Sequence, residues 1–138
     1  MGLNSFASIA VDIKRDLSNE VAIFNALRDS PNSKIATWNL DFELLDHKIA
    51  KPLAEYNSVT ASVTKFWVGR NQLGDEGATI LCDTLRESKA TKVQELDLQY
   101  NSIGPEGAKA VASMADVVTS LTRLDVSYNY SGRSSGML

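Results

Sequence analysis

Apolar and polar residues follow a fixed stencil in the stretch Val93–Ala108, VQELDLQYNSIGPEGA. Val93, Leu96, Leu98 and Ile103 are its apolar points, and Asn101 stands between the last two. Leu96 and Leu98 alternate with Glu95, Asp97 and Gln99, the period of a short strand with one face turned inward. Gly104 then opens a run in which Pro105 and Glu106 suit a first helical turn. Ala108, Val111, Ala112 and Ala115 follow at helical spacing and predict a helix with one small, packed face.

The stencil recurs. Thirty residues earlier, Val63, Phe66, Val68, Asn71 and Leu73 take the same five places, and Gly74, Glu76, Gly77 and Ala78 match Gly104, Glu106, Gly107 and Ala108. Twenty-eight residues after Val93 come Leu121, Leu124, Val126 and Asn129. Twenty-eight before Val63 come Ile35, Trp38, Leu40 and Leu45, with Glu43 replacing the asparagine and Asp46 and Ile49 replacing the glycines. Units therefore start at 35, 63, 93 and 121, each predicted to pair a strand with a helix, except the last, which is cut short. The second helix is predicted to bury Ala78, Leu81, Cys82 and Leu85, with Asp75 at its start. The first buries Ile49, Leu53 and Ala54, with Pro52 shifting or bending it. Residues 56–62 and 88–92 read as polar returns. A further step of 28 puts Asp12 at an inward place, so residues 1–33 read as a terminal cap or degenerate repeat.

This period, with the signature N-x-[LI]-G-x-E-G-A, resembles the ribonuclease-inhibitor-type leucine-rich repeats, found also in NOD-like receptors and Ran GTPase-activating proteins. The resemblance covers residues 35–129 and implies one leucine-rich repeat domain over 1–138. Its implied fold is an α/β solenoid, a right-handed horseshoe segment with parallel strands on the concave face and helices on the convex face. It also implies a structural role for Asn71, Asn101 and Asn129, whose amides satisfy backbone groups of the turn.

Alternation sends the residues flanking each inward pair onto the concave face. One outward row is Thr37, Lys65, Glu95, Arg123; the next is Asn39, Trp67, Asp97, Asp125; the third is Asp41, Gly69, Gln99, Ser127. Phe42, Arg70, Tyr100 and Tyr128 form a row just beyond the strands. Trp67 is the most informative member, because an outward tryptophan either anchors a partner or packs on its ladder neighbours. Gly69 leaves a gap beside it. In the last unit, Leu121, Leu124 and Val126 lack a covering helix, and such an edge invites pairing with another chain. A fragment of a longer solenoid, a short cap and an oligomer contact all fit that edge.

Composition narrows the function. The 138 residues carry a formal charge of −3, which offers no basic field to nucleic acid or an anionic membrane. A hydrophobic share of 43% is ordinary for one folded domain, and no apolar run is long enough to span a bilayer. One cysteine, Cys82, leans toward a reducing, cytoplasmic setting. The Asn129-Tyr130-Ser131 sequon would matter only in a secreted protein. His47 is the single histidine, so neither a metal cluster nor a Cys–His nucleophile pair is expected, and Asp97 and Asp125 lack evident burial for acid–base work. No cofactor is implied. The leading expectation is a non-enzymatic module that binds a protein through its concave face. The alternatives are a protein that self-assembles through its last repeat, and a GTPase activator, for which no functional residue can be matched.

Overall fold

The computed structural model describes residues 8–10, 36–41, 45–59 and 61–130. Five short parallel strands lie in chain order: β1 (Ser8–Ala10), β2 (Thr37–Asn39), β3 (Lys65–Trp67), β4 (Glu95–Asp97) and β5 (Arg123–Asp125). Helices α1 (His47–Val59), α2 (Gly74–Glu87) and α3 (Pro105–Val117) follow β2, β3 and β4. Each helix packs on its neighbour, so the chain winds as an α/β solenoid with the sheet on one side.

The register brings Trp38, Phe66, Leu96 and Leu124 into one row across the sheet. The first three are buried, as are Leu40, Val68 and Leu98 two residues on. Ile49, Leu53, Ala78, Leu81, Cys82 and Leu85 close the core from the helices. Burying each large side chain contributes about 1.5–3 kcal/mol, so the repeated stencil is the main source of stability.

Four expectations are revised. Strand β1 pairs Ile9 with Trp38, a step of 29 residues, whereas a step of 28 had set Ala10 there and displaced Asp12 into an inward place. The rest of the segment 1–33, and Phe42 of the rim row, lie outside the described residues. Helix α1 continues through Pro52 and on to Val59, so most of the supposed return at 56–62 is helical. On α3 the buried residues are Gly107, Ala110, Val111 and Met114, while Ala108, Ala112 and Ala115 are exposed. Their counterparts Ala78, Cys82 and Leu85 are buried because α3 packs on α2 and covers them. Finally, Asp75 does not cap its own helix. Its Oδ1 accepts the N–H groups of Gly104 at 2.6 Å and Gly107 at 2.8 Å, capping α3 in the next repeat.

Gly107 makes this cap possible: a Cβ there would lie 2.6 Å from Ile103 Cγ2 and 2.8 Å from Asp75 Oδ1.

Candidate functional site

Behind β3, β4 and β5 the chain turns on an asparagine, buried in the first two turns and half-buried in the third. Asn101 is fully buried, and its amide donates to the carbonyls of Val68 (2.8 Å), Leu98 (3.2 Å) and Gln99 (3.2 Å). Its oxygen accepts the Leu73 N–H at 3.3 Å. Asn71 repeats this with Leu40, Val68, Gly69 and the Leu45 N–H. Asn129 donates to Leu98, Val126 and Ser127 and accepts from Asn101 and Ile103. Each asparagine thus ties its own turn to the previous repeat.

This frame fixes the open face of the sheet. Lys65, Glu95 and Arg123 stand in one row and Asn39, Trp67, Asp97 and Asp125 in the next. Trp67 is half-buried, with Lys65 Nζ 6.0 Å from its ring centroid. Beside it, Asp41, Glu95, Leu96, Asp97 and Arg123 complete a hollow of about 240 Å³. Asp41 Oδ1 accepts the Gly69 N–H at 2.7 Å, and Asp97 accepts the N–H and side-chain amide of Gln99. A Cβ on Gly69 would lie 3.2 Å from Asp97 Oδ1 and 3.3 Å from Asp41 Oδ1, so both carboxylates close over the glycine. Burial, with Asp97 adding to it, raises the Asp41 pKa above the ordinary carboxylate value against the Gly69 hydrogen bond and Arg70. Asp125 is held below it by the Ser127 hydroxyl and N–H, then by Arg123.

At the rim, the Arg70 guanidinium lies 4.3 Å from the Tyr100 ring centroid, and Tyr100 stacks on Tyr128 at 4.4 Å with planes 6° apart. All three residues have φ between 55° and 58°, a left-handed conformation costly for side chains of this size. At the β5 end, Leu121 and Leu124 are half-buried and Val126 is 44% exposed. Leu124, Val126, Tyr128 and Tyr130 face Ile103, Ala108, Val111 and Ala112 across an apolar hollow of about 610 Å³.

Catalytic chemistry has little to work with among the described residues. No three His, Cys, Asp or Glu side chains gather there to hold a metal. Cys82 is buried, and desolvation pushes its thiol up to about 12. His47 instead faces Glu76, 3.7 Å away. No helix among them is long and apolar enough to cross a membrane.

A stack of strand–turn–helix units locked by an asparagine ladder defines a repeat solenoid. The Leucine Rich repeat family matches residues 89–112, across the turn of the third unit. The mouse (Mus musculus) protein "NACHT, LRR and PYD domains-containing protein 12" is 30% identical over 99 residues, which is 72% of this chain and 9% of that protein's length. Among solved structures, Leiomodin-1 Actin-Binding Site 2 superposes with a TM-score of 0.72 at 18% identity, over 87% of this chain and 69% of that one. The tropomodulin C-terminal domain of Caenorhabditis elegans gives 0.71 at 21%, over 91% and 75%. The chain belongs to the leucine-rich repeat proteins.

Proposed function

We propose that the chain is a non-enzymatic protein-interaction module of the ribonuclease-inhibitor type, working in the cytoplasm and binding its partner through the concave strand face. Leucine-rich repeat domains generally mediate protein–protein contacts, and one fold neighbour is named as an actin-binding site. The observation that carries the reading is the half-buried Trp67 beside a hollow on a rigid sheet, with Arg70, Tyr100 and Tyr128 held in a stack at its rim. Aromatic and arginine side chains are the usual anchors of such contacts, and a preformed surface keeps the ordering cost of association low. The test is to measure the affinity of a captured partner for the wild type and for the Trp67→Ala/Tyr100→Ala variant. A loss of about tenfold or more is expected. Unchanged affinity in a folded variant removes the assignment.

A second reading is self-association through the last repeat, supported by the apolar hollow at β5. Upstream, the corresponding surface on α2 and β4 is covered by the next repeat, and self-association would cover this one in the same way. Sedimentation should then reveal a dimer or larger species that Val126→Glu dissolves; a strict monomer at high concentration ends this reading.

A further inference from the structure

We propose that the hollow beside Trp67 receives a basic side chain, arginine or lysine, carried on an extended segment of the protein partner. This rests on the concave face being the binding surface and states what that surface recognises.

The walls carry three carboxylates, Asp41, Glu95 and Asp97, against one guanidinium, Arg123. Arg123 already has Asp125 3.9 Å from its Nη2, so it is drawn toward the neighbouring carboxylate. Asp41 and Asp97 come from different repeats yet meet over Gly69, where any other residue would put a Cβ within 3.3 Å of both. The glycine lets the two carboxylates come this close together. Asp41 is also partly desolvated, a condition that penalises its charge and that a cation would relieve. Trp67 supplies the remaining wall, and an indole face attracts a cation beyond simple contact. Lys65 approaches that ring only at 6.0 Å, which leaves a closer place for an incoming cation. Carboxylates and an aromatic face around a hollow of about 240 Å³ suit one long basic side chain. The same charges repel a phosphate backbone or an acidic segment.

The experiment is a titration of the full chain, followed by amide and indole NMR shifts, with the peptide Gly-Gly-Arg-Gly-Gly at millimolar concentration. A peptide with citrulline in place of arginine keeps the shape and removes the charge. Shifts centred on the Trp67 indole, Gly69 and Gln99 are expected for arginine and not for citrulline, weakening about tenfold in Asp41→Asn/Asp97→Asn and with added salt. Equal shifts for the two peptides, or no shifts at these residues, overturn the proposal. The captured partner separates this from the broader reading. If Trp67→Ala weakens that partner and Asp41→Asn/Asp97→Asn does not, the face binds but not through a basic side chain. If neither variant matters, both readings fall.

Discussion

Replacing Asn101 by alanine tests the frame at its most buried point. The substitution removes four hydrogen bonds, three donated by the amide and one accepted by the oxygen. The carbonyls suffer less than that number suggests. Val68 keeps the Asn71 amide at 2.8 Å, Leu98 keeps Asn129 at 3.0 Å, and Gln99 keeps the Arg70 N–H at 2.8 Å. The Leu73 N–H, by contrast, is left without this partner in a buried turn, which costs about 1–3 kcal/mol. Adding the lost amide bonds and the small void gives about 2–4 kcal/mol, a large part of the roughly 5–15 kcal/mol that holds a domain together. Asn101→Asp should be worse, because a carboxylate oxygen would then face three carbonyls and a charge would be buried. Asn129→Ala should cost less: Asn129 is half-exposed and the Val126 and Ser127 carbonyls it releases are open to water, which offsets part of the loss at the Asn101 and Ile103 N–H groups. Urea unfolding followed by tryptophan fluorescence reports on Trp38 in the core and Trp67 on the face. An Asn129→Ala penalty equal to or above that of Asn101→Ala, or an aspartate milder than alanine, would refute the reasoning.

Three further outcomes are expected. Asp75→Ala should destabilise α3 rather than α2 by about 1–2 kcal/mol, seen as faster amide exchange at Gly104 and Gly107. Cys82 should resist thiol reagents at neutral pH until the chain unfolds. Because its folded pKa is raised from 9.0 to about 12, its stabilising share is intact below pH 9 and is lost as pH rises toward 12, and Cys82→Ala should flatten that loss. Asp41 has a folded pKa above its ordinary value, so its charge works against the fold as pH rises through that range. Asp41→Asn keeps an oxygen for the Gly69 N–H and should be at least as stable at pH 7 in thermal unfolding, with the gain shrinking in acid.

What the sequence revealed, it revealed through repetition. Phe66, Leu96 and Leu124 occupy one stencil position in three units, and a strand row is what such a column becomes. The asparagines were legible for the same reason. Features depending on which neighbour covers what were not. Ala112 and Cys82 hold equivalent places on their helices, yet among the described residues only Cys82 has a further helix packed over it. The target of Asp75 lay in the next unit, about a repeat away, where its own helix was the nearer candidate. The left-handed backbone at Arg70, Tyr100 and Tyr128 leaves no mark in a column of ordinary residues. The meeting of Asp41 and Asp97 did leave a signal: Gly69 breaks a column otherwise made of Asp41, Gln99 and Ser127.

Asp75 has a broader consequence when its column is followed along the array. The position holds His47, then Asp75, then Pro105, and each choice sets a different grip between successive helices. His47 reaches Glu76 through a long, charge-dependent contact, and Asp75 fastens α3 through two backbone groups. Pro105 has no side-chain acceptor to pass forward. Mechanical coupling therefore varies from joint to joint: one long side-chain contact between α1 and α2, and two short bonds to backbone between α2 and α3. Under a pulling force or in mild denaturant, the joint at Asp75 should be the last to part.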